Sequence, residues 1–374
     1  MEEEAILDIN SKKKVVIITD APSPYRVDFF LYLQENYMDY EFTVIFTNGS
    51  TRKWNVNYKK LNKYYILKAL KIKYPTKFDR RFLVISYGIN RVLNSVKPDV
   101  IVASEYNMTV QTAFLWSRLH KKKFISWTDG TLRSEQEFKG LRIFIRKKII
   151  KGANAYIASS INSKKLQMNY GAEESKIHIS YLTVDIDSYM VKHKPRGKFQ
   201  ILFVGRLVKG KGTSLLLEAL KRVNGDYKLL IAGDGPELEN VKQKVNELDL
   251  SSKVEFLGFL QREELTKHYA SSNLFVLPTL NDCFGLVILE AMCAGLPVIS
   301  TIYAGGAPDL IDEGVSGMIV DPHNTKQFAE AIQKVMDDQD YAKKLGENAL
   351  KKVHDFHFSR VAKGYMGAID EALK

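Results

Sequence analysis

Two acids, Asp282 and Glu290, are separated by seven residues within LFVLPTLNDCFGLVILEAMCAGLPVIS, residues 274–300. The apolar run 274–277 ends at Pro278, a turn carries Asp282, and residues 284–294 have the spacing of a buried helix. Asp282 therefore belongs at the mouth of that helix and Glu290 about two turns inside it. At the α-helical rise the two positions are at most about 12 Å apart, so one elongated ligand can touch both. The N–H groups of Phe284, Gly285 and Leu286, at the positive end of the helix dipole, would attract a diphosphate. Gly285, lacking a side chain, lets a ligand approach the backbone. A nucleotide sugar has this shape and this charge.

Positioning such residues takes strands and helices in alternation, and short apolar runs separated by helical periods supply them. Strands are expected at residues 15–19, 42–46, 100–103, 124–127, 155–158 and 177–181 of the first half, and at 200–204, 228–232, 254–257, 274–277, 297–300 and 318–320 of the second. Continuous rather than alternating apolar runs imply parallel sheets covered on both faces. The expected class is α/β, two doubly wound Rossmann-like domains whose parallel sheets face a central cleft. The polar segment 183–198, with Pro195 and Gly197, is the expected hinge between a domain at residues 1–185 and one at 196–356. The 374 residues suffice for two cores. No apolar run is long enough to cross a bilayer, and the opening acids with Lys12–Lys14 lack a leader pattern, so a cytoplasmic location is expected.

The second half resembles the retaining glycosyltransferases of family four, which have the GT-B fold and an acid-seven-acid motif followed by Glu-Ala-Met-x-x-Gly-x-Pro-Val. Here that run is residues 290–298, and the similarity continues through FVGRLVKGKGTSLLLEAL (203–220), LLIAGDGPELE (229–239), VEFLGFL (254–260), Gly305-Gly306 and Asp312-Glu313-Gly314. The resemblance implies that Asp282 and the backbone at 284–286 contact the transferred sugar, Glu290 the ribose hydroxyls, and Arg206 with Lys211 the diphosphate, two cations offsetting the charge that grows on the leaving nucleotide. It places Gly205, Gly233 and Gly258 in the donor cleft, and a last helix, 357–374, back on the first domain. It implies front-face attack, with the leaving phosphate oxygen taking the acceptor proton, and neither cofactor nor metal beyond the UDP- or GDP-sugar donor.

Two departures from the family pattern matter. The first motif acid is usually Glu and here is Asp282, one methylene shorter. Many members place a donor-contacting His after the strand at 124–127, where this chain has Thr128-Asp129-Gly130; Asp129 is the expected substitute. The usual Gly-rich loop after the first strand is replaced by DAPSPYR, residues 20–26, a stiffer loop expected to shape the acceptor side.

Several patterns mislead. Residues 205–211 fit the first seven positions of a phosphate-binding P-loop, but Gly212 stands where a hydroxyl must hold Mg²⁺, which argues against an NTPase. Asp185-Ile186-Asp187 mimics a metal-binding Asp-x-Asp and reads as a turn and helix cap. The histidines form no spaced cluster, and Cys283 and Cys293 have neither disulfide nor zinc spacing, so they read as small buried apolar residues.

Charge is uneven. Residues 1–190 carry 31 Lys and Arg against 19 Asp and Glu, and residues 191–374 carry 24 of each, so the net +12 belongs to the first half. It concentrates at 52–81, where lysines interleave with tyrosines, and at 139–151, KGLRIFIRKKIIK. The second suits an amphipathic helix on an anionic membrane; a solvated helix face is the plainer alternative, and no nucleic-acid-binding module is visible. The expectation is a hexose-transferring enzyme at the inner membrane face, acting on a lipid-linked glycan of a cell-surface polysaccharide. A nucleotide-sugar epimerase of the same fold, or a nucleotide-sugar-binding protein without catalysis, are the alternatives.

Overall fold

A computed structural model describes residues 12–49, 53–76, 78–195 and 197–374. The opening residues 1–11, and Arg52, Lys77 and Arg196 of the basic stretch and the hinge, lie outside the described residues.

The first half builds β1 (Lys13–Thr19), α1 (Pro24–Asn36), β2 (Tyr40–Phe46), β3 (Tyr64–Ile66), β4 (Ala69–Pro75), β5 (Arg80–Ser86), α2 (Ile89–Val96), β6 (Val100–Ser104), α3 (Met108–Leu119), β7 (Lys123–Thr128), α4 (Leu141–Gly152), β8 (Ala155–Ala158), α5 (Ile161–Asn169) and β9 (Ile177–Ile179). Seven of these strands form one parallel sheet in the order β3-β2-β1-β6-β7-β8-β9. Its strands are apolar on both sides because both sides are covered. Val15 and Ile17 pack with α1, Val16 and Ile18 with α2 and α3, the period-two alternation of a strand.

A short helix, α6 (Ile186–Tyr189), leads to the second half: β10 (Phe199–Val204), α7 (Thr213–Leu220), β11 (Tyr227–Ala232), α8 (Leu238–Glu247), β12 (Val254–Gly258), α9 (Arg262–Ser271), β13 (Leu274–Val276), α10 (Leu286–Cys293), β14 (Val298–Thr301), α11 (Ala307–Leu310), β15 (Met318–Val320), α12 (Thr325–Asp337), α13 (Gln339–Lys352) and α14 (Phe358–Leu373). Its sheet is parallel, ordered β12-β11-β10-β13-β14-β15. The last helix does not stay with it. Val361, Tyr365, Met366 and Ile369 of α14 pack among α1 and the strands of the first sheet. Both sheets are doubly wound, and the fold is GT-B. Strand order reverses between β1 and β6 in one sheet and between β10 and β13 in the other, and ligands of such sheets bind outside the strand ends at the reversal.

Four local readings change. β3 and the antiparallel β4–β5 hairpin come from a stretch whose lysines and tyrosines gave no clean period. The strand expected at 177–181 ends at Ile179. The motif helix begins at Leu286 rather than 284, because Gly285 is left-handed with φ 93°. Asp185 does precede a short helix, but its carboxylate accepts from the Ser188 hydroxyl instead of capping a backbone N–H.

Candidate functional site

The donor-side loops of the second half fit together only because glycine occupies their crossings. Gly212 is left-handed, φ 66°, and a Cβ there would lie 2.0 Å from the Pro278 carbonyl oxygen. A Cβ on Gly233 would lie 1.9 Å from the Gly205 carbonyl oxygen. Any side chain would force these loops apart. The close approach brings the loop after β10 against the loop after β13, so that Lys211 Nζ forms an ion pair with Asp282 Oδ2. Asp282 Oδ1 also accepts the Phe284 N–H at 3.3 Å. That N–H is therefore not free for a ligand, contrary to expectation, because the short Asp side chain folds back on its own turn. The N–H of Gly285 makes no hydrogen bond among the described residues. Gly258, φ 69°, has open space at its Cβ position and accepts the Gly233 N–H at 2.7 Å.

Helix α10 is apolar along Ile288, Leu289, Ala291, Met292 and Cys293, all buried, and Glu290 is its one charged residue. The Tyr269 hydroxyl donates to Glu290 Oε2 at 2.8 Å, and the Tyr189 hydroxyl bonds the same carboxylate. Burial raises the Glu290 pKa above the ordinary carboxylate value, while the two tyrosines and Arg262 oppose that rise. Arg262 bonds Tyr189 and, 2.5 Å away, Asp28 on α1. A chain of polar contacts thus runs from the first half of the protein to the second motif acid. Tyr189 comes from α6, Arg262 and Tyr269 from α9 and Asp28 from α1, and no sequence spacing ties them to Glu290.

The two halves meet along several further contacts. Arg206, expected on the diphosphate, is paired with Asp79 from the connection between β4 and β5, and the Gly210 N–H donates to the Phe78 carbonyl at 3.1 Å. Lys53 pairs with Asp234 at 2.8 Å. From the loop after β7, Arg133 donates to the Leu280 carbonyl at 3.2 Å and stacks 3.6 Å above the Tyr303 ring. The Asp309 carboxylate accepts the first N–H of α5, from Ile161, at 3.2 Å.

Asp129 follows the end of β7, and both its oxygens accept hydrogen bonds. Arg26 donates to Oδ2 at 2.6 Å and Ser159 to Oδ1 at 2.5 Å. Arg26 is itself buried and lies 3.8 Å from the centroid of Trp127. Beside them Arg146 pairs with Glu135 at 2.7 Å, both side chains nearly buried, and Tyr170 donates to the same carboxylate at 2.6 Å. Arg146 is therefore not part of the exposed basic face of α4. Cys293 is buried as expected; Cys283 is only partly so, and burial with nearby Glu105 and Asp282 pushes its thiol up to about 12.

Comparison with known proteins agrees with this geometry. Residues 185–352 match the family model of glycosyl transferases group 1. An uncharacterised glycosyltransferase of Methanocaldococcus jannaschii is 35% identical over 166 residues, 44% of this chain and 42% of that protein. A D-inositol 3-phosphate glycosyltransferase of Corynebacterium kroppenstedtii is 32% identical over 185 residues, 46% of this chain and 41% of that protein. The chain thus spans less than half the length of these two relatives. The Anabaena protein HepE, solved in complex with UDP, superposes with a TM-score of 0.79 over 96% of this chain and 100% of that one, at 18% identity. The similarity to the glycosyl transferases group 1 family extends over residues 185–352.

Proposed function

We propose that this protein is a retaining glycosyltransferase that moves a hexose-type unit from a UDP- or GDP-sugar, without a metal, to a lipid-linked glycan of a cell-surface polysaccharide. The observation that carries the reading is the meeting of Lys211 and Asp282, on the loops after β10 and β13, at the reversal of strand order, with Arg206 on the same loop as Lys211. The UDP bound to the Anabaena protein of similar fold favours a uridine donor. On this reading the unit at residues 1–185, with 357–374, holds the acceptor, and that at 196–356 holds the donor, with Gly205, Gly233 and Gly258 lining its cleft.

Arg206 and Lys211 bind the diphosphate, which takes the places of Asp79 and Asp282 beside them. Asp282, released from Lys211, and the N–H groups of Gly285 and Leu286 hold the sugar, and Glu290 holds the ribose hydroxyls. The acceptor oxygen attacks the anomeric carbon on the face that the diphosphate leaves. The anomeric carbon–oxygen bond to phosphate breaks, the new glycosidic bond forms, and the departing phosphate oxygen takes the acceptor proton. Positioning and charge stabilisation then supply the acceleration.

Surface composition supports the acceptor half. Leu70, Ile72 and Leu83 of the hairpin, Leu115 and Leu119 of α3, and Leu141 and Phe144 of α4 are all exposed. β5 packs on α3, and Phe114 of α3 lies against Gly152 at the end of α4, so these residues share one side of the first unit. Lys147, Lys148 and Lys151 stand exposed among them. An apolar surface edged with lysines suits the headgroup layer of an anionic membrane, and we assign it to the inner face.

The test is incubation with UDP-glucose, UDP-galactose, UDP-N-acetylglucosamine and GDP-mannose, with and without detergent-solubilised glycolipids. Nucleotide release that depends on the acceptor is expected from at least one donor. Isomerised donor, or donor binding without release, would contradict the proposal.

A further inference from the structure

The residue that leaves β6, at the reversal of strand order in the first sheet, is Glu105. Ligands of doubly wound sheets lie at this place. Its backbone is left-handed, φ 68°, which a residue with a Cβ seldom adopts and which persists where the surroundings over-determine it, commonly at functional sites. The side chain is half-buried. Oε1 accepts the Asp129 N–H at 3.2 Å and the Thr128 hydroxyl at 3.4 Å. Oε2 makes no hydrogen bond among the described residues.

Asp129, the acid expected here, has both oxygens committed to Arg26 and Ser159. The neighbouring acid with an oxygen left to offer is Glu105, and the Asp129 backbone orients it. Six groups face it: Asp129 at the end of β7, Glu135 beyond it, Arg146 from α4, Arg26 from α1, Cys283 from the second unit, and the adjacent Tyr106. Cys283 adjoins Asp282, so Glu105 lies near the residue proposed above to hold the sugar. Burial first, then Asp129 and Glu135, push its carboxyl up to about 7. A protonated carboxyl can donate and accept at once, whereas a carboxylate only accepts.

We infer that Glu105 is a sugar-binding residue of the transfer site, its carboxyl hydrogen-bonded to a hydroxyl of the unit being transferred. The proton stays on Glu105 throughout, so no bond is made or broken there. The inference rests on the transferase reading above.

Nucleotide release from the four donors named above, measured between pH 5.5 and 8.5, tests it. The parent rate is expected to fall as pH rises through about 7. Glu105→Gln, which still donates a hydrogen bond, is expected to abolish that fall and keep at least about a third of the rate. Glu105→Ala is expected to lose about tenfold or more in rate at pH 6 while binding free UDP or GDP as the parent does by calorimetry, since nucleotide contacts lie in the other unit. A Glu105→Gln profile that falls like the parent's, or a Glu105→Ala rate equal to the parent's, overturns the inference and leaves the transferase reading standing. A parent that releases nucleotide from none of the four donors overturns both.

Discussion

The position of Glu290 on α10 is fixed by partners on α6 and α9, not by the helix alone, and the role proposed for it is ribose binding. Hydrogen bonds to a charged group contribute about 1.5–3 kcal/mol, so Glu290→Gln should weaken donor binding by about tenfold or more in calorimetry. Unchanged affinity in a folded variant would remove Glu290 from the donor site. Lys211 is different in kind, since it already neutralises Asp282 before any donor arrives. If it stabilises charge developing on the leaving diphosphate, Lys211→Ala should lower kcat more than it raises the donor KM. Normal kcat with weaker binding would place it in uniform donor binding. Asp282, Glu290, Arg206 and Lys211 were legible because each sits in a contiguous motif at a strand end. Tyr189, Tyr269 and Arg262 were not, because they reach Glu290 through the packing of α6 and α9 on α10, and a linear pattern does not carry that packing.

At the scale of elements, the β4–β5 hairpin is the feature whose structure differs most from its sequence. Its lysines and tyrosines read as a solvated or membrane-facing stretch, yet Phe78 and Asp79 cross to the loop after β10. Asp79 holds Arg206 where a diphosphate would compete for it. Exposed ion pairs contribute about 0–1 kcal/mol, so Asp79→Asn should tighten donor binding by up to about fivefold. Weaker binding would show that Asp79 assists the donor instead of excluding it. The parallel strands, by contrast, were legible nearly throughout, since burial on both faces forces the continuous apolar runs seen in β1, β6, β10 and β13. Helix α4 lies between these cases. Its basic character was plain, but Arg146 turns inward to Glu135, which the run of like residues concealed.

Asp309 caps α5 across the two halves. Burial, opposed by the Ile161 N–H, raises its pKa from 3.8 to about 6. The folded state then holds this proton at pH values where the unfolded chain has released it. The group's contribution is therefore most favourable below about pH 4 and declines as pH rises to about 6, by at most about 3 kcal/mol. Asn accepts the same N–H without titrating. Thermal melts should show Asp309→Asn gaining on the parent as pH rises from 4 to 6.5, and a constant gap would contradict the assignment.

For the molecule as a whole, the two sheets are tied by α14, by Asp28–Arg262 and by the loop after β7, and the first unit carries both the excess charge and most of the exposed apolar side chains. If that surface docks on anionic lipid, attraction should be screened over a Debye length of about 8–10 Å, so vesicle binding should fall as salt rises. Lys147→Gln with Lys148→Gln and Lys151→Gln should reduce co-sedimentation with anionic vesicles while leaving the buried Arg146–Glu135 pair intact. Equal co-sedimentation would leave α4 an ordinary solvated helix.

Transfer with retention is the reaction proposed where the two strand-order reversals meet. The most direct measurement is a proton NMR time course of the reaction between an α-linked nucleotide-sugar donor and a glycolipid acceptor, read at the anomeric signal of the first-formed product. An α-glycoside is expected, appearing at the rate at which nucleotide is released. A β-glycoside, or a donor isomerised in the absence of acceptor, would contradict it.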